Sequence, residues 1–457
     1  MVRAKTIFKF WRRLSVLILL LLYLSGCSNQ SNGDGTIRVW VHAGTQEERQ
    51  IITEQVQGFN ASQDKITVNF TFIPEGSYNA QIQAASLSGD LPDVLEFDGP
   101  FVYNYVWQRK LIPIDNLLSE EVQQELLPSL IQQGIYKQER LYSVGTFDSG
   151  LGMFGYRSQL QAAGVRIPTS YEDAWTAQEF NQILATLAEK DSKDRQVLDL
   201  KLNYRGEWFT YAFSPIIQSA GGDLINRSNY TSAEGVLNNE QAVAVMEQLQ
   251  SWLEKGYVDP NTDDSAFTEK RVALSWGGHW NYRNYLKAAG DDLVVLPLPN
   301  FGNSSKTGQG SWNWGITTNC KNPQAAMRFL EFLLQTEQVL AMSNANGAVP
   351  ATQSAIASSK LYGEGAPLHL FSSQLSAGQS VPRPQTPAYP VITSAFQQAF
   401  ADIRHGLNVK TALDKAVITI DQDIEDNEGY RDPDPEEISC QKSLFQFINC
   451  LLMTNKT

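Results

Sequence analysis

The chain has 457 residues, with 36 Lys and Arg against 49 Asp and Glu and a formal net charge of −13. This acidic balance excludes a nucleic-acid backbone as the main partner, since that ligand demands a basic face. It also excludes membrane attachment through a polybasic surface. The length is enough for two ordinary domains with sizeable cores.

Arg3, Lys5, Lys9, Arg12 and Arg13 precede an apolar run, Leu14–Leu24, and then come Ser25, Gly26 and Cys27. A basic start, a short apolar core and small residues predict a secretory signal peptide over residues 1–26. The run is well short of the roughly 20 residues that cross a bilayer as a helix. Leu24-Ser25-Gly26-Cys27 resembles the bacterial lipobox. That resemblance implies cleavage before Cys27, lipid on its sulfur, and a mature protein anchored at the outer face of the cytoplasmic membrane or in the periplasm. The competing reading is an uncleaved anchor with an incidental cysteine. Loss of the signal removes five positive charges and no acids, which takes the formal charge from −13 to −18. Residues 27–35 are the modified Cys and a small polar tether.

Next, Ile37, Val39 and Val41 alternate with Arg38, Trp40 and His42 as a strand. Thr45 and Glu48 have the spacing of a capping box, and the helix it opens runs to about Asn60. Ile66, Val68, Phe70 and Phe72 form a second strand, a helix covers Tyr78–Leu87, and a short strand Val94–Phe97 ends at Asp98. A strand–helix–strand unit of this kind predicts a parallel α/β sheet with a right-handed crossover. Ligands of such sheets sit beyond the carboxyl ends of the strands. Further on, Gln241–Glu254 reads as an amphipathic helix, Val294–Leu296 and Trp312–Thr317 as strands, and a helix starts at Pro323. Ser354–Val381 reads as loops with one short helix, and Ile392–Ile403 and Thr411–Ile424 as a final helix pair. Asn427–Glu436 is an acidic, proline-containing linker, and Ile438–Met453 an amphipathic tail. Cys320, Cys440 and Cys450 have no metal-site spacing and, being three, cannot all pair internally. A Cys440–Cys450 bridge requires the segment between them to bend, because ten residues of straight helix span about 15 Å.

Five blocks, read in order, carry a wider resemblance. They are Ile37–Phe59, Gly206–Asp223, Ala273–Trp280, Gly310–Leu333 and Arg383–Pro390. Together they look like a carbohydrate-type extracellular solute-binding protein of an ABC importer, the group that includes maltose-binding proteins. The resemblance covers about residues 36–428. It implies a two-lobe α/β fold, with lobe 1 at 36–145 plus 294–345, lobe 2 at 146–293 plus 346–428, and residues 429–457 outside both. It places crossing segments near Ser143–Ser149, Asp291–Pro297 and Asn344–Pro350. It also implies hinge closure on a small carbohydrate, delivery to permease subunits, a monomer, and no cofactor, metal or nucleic acid.

A sugar presents hydroxyls for carboxylates and amides, and C–H faces for aromatic planes. Asp98 ends a strand and matches a family binding position, or else caps the next helix. Asp148 lies in the first crossing segment, as a binding or a turn residue. Glu207 and Trp208 open the second block, as ligand contacts or as an ordinary helix start. Trp280, after Gly277-Gly278-His279, matches a stacking position, or is core; Trp276 reads as core. The family often has Pro where this chain has His279. Of Trp312 and Trp314, one reaches the cleft; Trp312 is the candidate. Tyr389 matches an aromatic contact. His42 and Thr45 on the first strand-to-helix loop are able to donate to hydroxyls. The alternatives are a surface glycoside hydrolase, which needs two carboxylates flanking one bond, and a receptor that contacts a signalling partner. No P-loop, His-Glu-x-x-His or Gly-x-Ser-x-Gly motif is present.

Overall fold

The structure is a computed structural model that describes residues 35–137, 139–190 and 196–431. The signal segment, Cys27, most of the tether, Cys440, Cys450 and the tail lie outside the described residues. Among the described residues no helix is long and apolar enough to cross a membrane, and no group of side chains is placed to hold a metal ion.

The chain begins β1 (Thr36–His42), α1 (Gln46–Ser62), β2 (Thr67–Ile73), α2 (Glu75–Ser88) and β3 (Val94–Asp98). β1 buries Ile37, Val39 and Val41 on one face and leaves Arg38 exposed, as its period of two demands. Thr45 closes the predicted capping box, and α1 turns Ile52, Val56 and Phe59 to the sheet. The chain then runs through β4 (Val144–Gly145), β5 (Phe147–Asp148), β6 (Leu151–Tyr156), β7 (Leu198–Asp199), α3 (Trp208–Ala220), β8 (Leu274–Gly278) and β9 (Leu293–Leu296). It ends with β10 (Thr307–Gln309), β11 (Trp312–Ile316), α4 (Thr336–Asn346), β12 (Val349–Pro350), β13 (Ser380–Pro382), α5 (Tyr389–Arg404) and α6 (Val409–Asp426).

Two main sheets organise these elements. The first has the order β2-β1-β3-β11-β4, with β1 parallel to β2 and β3 and with β11 antiparallel to its neighbours. The second has the order β9-β6-β8-β7, and its strand β6 is buried along its whole length. Separate apolar cores lie against the two sheets, one containing Trp314 and Phe329, the other Trp252, Phe213 and Phe400. This is the expected two-lobe arrangement. α5 and α6 pack on the second lobe and extend the predicted helix pair at both ends.

The crossings show one difference from expectation. β4 belongs to the first sheet and β6 to the second, so the chain crosses at Gly145–Gly150 as predicted. β12 pairs antiparallel with β5, which joins two crossing segments side by side at Asn346–Pro350. Asp291–Pro297 is not a crossing: Leu293–Leu296 forms β9, an edge strand of the second sheet against β6. A proline-ended apolar stretch fits an edge strand as well as a break, because Pro offers no ladder donor. The chain crosses instead at Gly310–Ser311, between β10 and β11. Ser354–Val381 holds two short helices, Gln353–Ser358 and His369–Ser376, rather than one.

Trp314 sits in β11 near the middle of the first sheet, 1% exposed and edge-on to Phe329. Trp314→Ala should lower unfolding stability by about 3–5 kcal/mol, read by urea titration.

Candidate functional site

A cavity of about 450 Å³ opens between the lobes. The first lobe supplies the loop after β1 (His42, Gly44, Thr45), Glu48 of α1, Asp98 at the end of β3 and Trp312 at the start of β11. The second supplies Tyr204, Arg205, Glu207 and Trp208, Tyr211 one turn further along α3, and His279 and Trp280 after β8. Strand ends thus converge from both sheets, as expected for α/β folds.

Seven of the nine predicted residues line this cavity: His42, Thr45, Asp98, Glu207, Trp208, Trp280 and Trp312. Asp148 and Tyr389 do not, and both are fully buried. The Asp148 carboxylate accepts from the Ser149 amide at 2.7 Å and from Gln133 Nε2 at 3.3 Å, and burial lifts its pKa to about 6. It stabilises the first crossing rather than facing the cavity. The Tyr389 ring packs edge-on to Phe101, and its hydroxyl donates to Glu207. It therefore acts on the site through Glu207. Trp276 is core, as expected.

The two cavity carboxylates expected to meet a ligand are held by a residue the sequence did not single out. Arg383, just after β13, makes a two-pronged contact with Asp98, 2.7 Å on one side, and reaches Glu207 at 3.3 Å. Asp98 makes no side-chain capping bond to the next helix, so its reading as a cap fails. Glu207 does stand at the head of α3, as the helix-start reading expects, but its side chain makes no capping bond and turns to Arg383. Glu207 also accepts from Thr393 at 3.0 Å. Burial lifts its carboxyl to about 7 against the opposing pull of Arg383, with Asp98 adding to the rise. β10 and β13 pair in parallel and bring Arg383 against Gly310. A Cβ at Gly310 would lie 2.5 Å from the guanidinium, so the close approach needs glycine there.

His42 is 7% exposed, and its Nδ1 lies 2.7 Å from Glu96 on β3. Burial opposes its charge, but Glu96, with help from Glu48 and Glu75, outweighs burial and raises the imidazole to about 9. Its ring stacks on Trp312 at 3.7 Å with planes 4° apart, which is also a cation–π contact. One face of Trp312 is thereby covered. Trp280 is likewise one-sided: a Cβ on Gly278 would fall 2.0 Å from the indole, which therefore lies over that glycine's backbone. Trp208 and Tyr211 flank Trp280, at ring separations of 6.0 Å and 6.3 Å. Trp208 itself is 5% exposed and donates to the Leu200 carbonyl, so it braces Trp280 more than it presents a surface.

A hydrogen-bonded chain runs along the cavity floor. His279 Nδ1 lies 2.9 Å from the Asn346 carbonyl, which only accepts, so Nδ1 carries the proton. Burial drives the His279 pKa down to about 4, so the ring is neutral and Nε2 accepts from Ser149 Oγ at 3.1 Å. Ser149 in turn receives the Tyr211 hydroxyl proton at 2.8 Å. At the other end Asn346 Nδ2 donates to Glu48, whose second oxygen accepts from the Thr45 amide. Burial raises the Glu48 pKa, but His42 and these bonds outweigh it and the net shift is downward. Thr45 Oγ1 accepts the Glu48 amide as the helix cap and keeps its own proton to donate. Tyr211 was findable: it follows Glu207 by four residues and Trp208 by three, spacings that share a helix face. His279, Ser149 and Arg383 carried no such signal.

Residues 54–364 match the family of bacterial extracellular solute-binding proteins. The maltodextrin-binding protein MdxE of Bacillus subtilis is 25% identical over 163 residues, 33% of this chain and 39% of that protein. A maltooligosaccharide ABC transporter solute-binding lipoprotein of Streptococcus pneumoniae is 23% identical over 238 residues, 50% of this chain and 55% of that protein. The matches thus span about half the length of these relatives or less. In fold, the chain is similar to the GacH receptor of Streptomyces glaucescens, solved unliganded and with acarbose. That likeness has a TM-score of 0.71 at 20% identity and covers 88% of this chain and 99% of the receptor.

The His42–Glu96 pair makes stability depend on pH. The folded imidazole titrates at about 9, above its ordinary 6.5, so its contribution is complete below pH 6.5 and disappears as pH rises through 9. It amounts to about 3 kcal/mol. Glu96→Gln should lower the melting temperature most near pH 6, with the gap to the parent narrowing toward pH 10.

Proposed function

The chain belongs to the bacterial extracellular solute-binding proteins, and from that premise we propose that it captures a neutral carbohydrate in the inter-lobe cavity and presents it to an ABC importer. One observation carries this reading. Trp280 and Trp312, on opposite lobes, are each backed on one face, by Gly278 and by His42, and line the same cavity. Backed indoles are suited to stack the C–H faces of sugar rings.

The electrostatics favour a neutral ligand. Asp98 and Glu207 are compensated by Arg383, and Glu48 by His42 and two donors. A sugar phosphate would meet these acids without a spare buried cation. The same pairing disfavours the glycosidase alternative, since both carboxylates are occupied by one guanidinium instead of flanking a bond. Closure would bring the aromatic walls together by bending at the paired crossing strands β5 and β12. The curated relatives named above bind maltodextrins or maltooligosaccharides, and those are the first ligands to try. Neither Asp148 nor Tyr389 is part of the contact surface in this reading; both support it from behind.

Titration calorimetry with maltose, maltotriose and acarbose should give saturable binding and quenched tryptophan fluorescence, with glucose 6-phosphate at least tenfold weaker. Trp280→Ala should weaken binding by about tenfold or more, the loss of one aromatic stack. Absence of binding across a wider mono- to trisaccharide panel would refute the assignment. For the anchor, Cys27→Ser should retain sugar binding but shift the protein from the membrane fraction and reduce uptake, because tethering raises local concentration at the permease. Unchanged fractionation would remove lipidation from the account.

A further inference from the structure

Behind the loop Leu202–Gly206 lies a second cavity of about 540 Å³, separate in its outer wall from the inter-lobe site. It is closed by the last two turns of α5 (Gln397, Phe400, Arg404, His405) and by Phe209 and Asn261. None of its lining residues is acidic, in a chain whose acids outnumber its bases by 49 to 36. Arg205, Arg404 and His405 all line it. Arg404 spends one donor on the Leu202 carbonyl at 3.2 Å, which fixes the guanidinium and leaves the others available. Asp264, the carboxylate behind Tyr204, is engaged at 2.8 Å by Lys201. Asn203 also lines the cavity, and its side-chain oxygen is buried without a hydrogen-bond partner. An amide turned the other way would offer donors from the same place. The floor is aromatic: Phe209 and Phe400 pack at 4.9 Å with planes 31° apart.

The C-terminal end of a helix by itself favours cations, and that accounts for Arg404 and His405 on α5. It does not account for Arg205, which comes from a different segment, for the buried, unpaired Asn203 side-chain oxygen, or for the half-buried Phe209 beneath them. We propose that this cavity binds a small organic carboxylate with a flat apolar body, its carboxylate on Arg404 and Arg205 and its ring on Phe209. Guanidinium and carboxylate match in geometry and charge, and the ring replaces water on the aromatic floor. The wall it would touch is shared: Tyr204 and Arg205 also line the inter-lobe cavity, and Glu207 follows directly. The loop is held at both ends by left-handed residues, Lys201 at φ 52° and Gly206 at φ 66°. It is therefore a defined element shared by both cavities, and any coupling it carries between them acts equally in both directions.

The experiment is calorimetry and thermal unfolding of the full chain with sodium benzoate at constant ionic strength set by NaCl. Inorganic phosphate tests charge without a ring, and benzyl alcohol tests a ring without charge. The expected result is saturable binding of benzoate alone, weakened about tenfold in each of Arg205→Gln and Arg404→Gln. Arg205 is exposed and its side chain makes no hydrogen bond or ion pair among the described residues, so that variant reports on binding even if Arg404→Gln unfolds. Trp280→Ala should leave benzoate binding intact, which separates this site from the sugar assignment. No saturable response to benzoate, an equal response to phosphate or benzyl alcohol, or unchanged binding in Arg205→Gln and a folded Arg404→Gln would each overturn the proposal.

Discussion

Arg383 holds the two lobes in one electrostatic unit. Its guanidinium is 5% exposed and lies between Asp98, at the end of a first-sheet strand, and Glu207, at the head of a second-lobe helix. A cation buried this deeply is tolerable only with carboxylates beside it, and each carboxylate is tolerable only with the cation. The cavity inherits its character from that mutual requirement. The charges of Asp98, Glu207 and Glu48 are spent internally, and the surface left to a ligand is largely aromatic and hydroxyl-bearing, with Glu75 and Arg205 as the remaining charged groups.

The same economy governs the floor. A carbonyl at Asn346 fixes the His279 tautomer, the tautomer makes Ser149 a donor, and Ser149 makes Tyr211 a donor toward it. The Tyr211 oxygen therefore turns lone pairs, not a proton, to any further partner, and asks for a donor such as a hydroxyl. Because Asn346 ends a first-lobe helix and His279 follows a second-lobe strand, this polarity is set only when the lobes meet as they do here. Binding specificity and lobe geometry are then one property.

Much of this was legible in the sequence because it rests on short-range pattern. The alternation in β1, the Thr45–Glu48 box and the strand-end positions of His42 and Asp98 are local, and local rules place them correctly. Trp280 was marked by its glycines, since only a bare backbone lets an indole fold over it. What escaped depends on distant partners. Arg383 sits between two prolines with no periodicity, and its role exists only because β13 pairs with β10, some seventy residues earlier in the chain. Asp148 and Tyr389 have the right chemistry and the right neighbourhood, but burial settles their roles, and burial is a property of the packed molecule. The misplaced crossing at Asp291–Pro297 has the same cause, as an edge strand and a hinge share one proline signal.

β11 is flanked by β3 and β4 in the first sheet, yet in the chain it follows the whole second sheet, β6 to β9. A ribosome must therefore deliver more than three hundred residues before the first sheet can be completed, although β1, β2 and β3 are made near the start. Until then the slot for β11 is open and its apolar neighbours lack cover. Contacts this distant in sequence slow folding, because loop closure must precede any gain from pairing. The order of strands thus works as a timer: the first sheet stays unfinished, and accessible to whatever handles unfolded protein, until about two-thirds of the chain has been made.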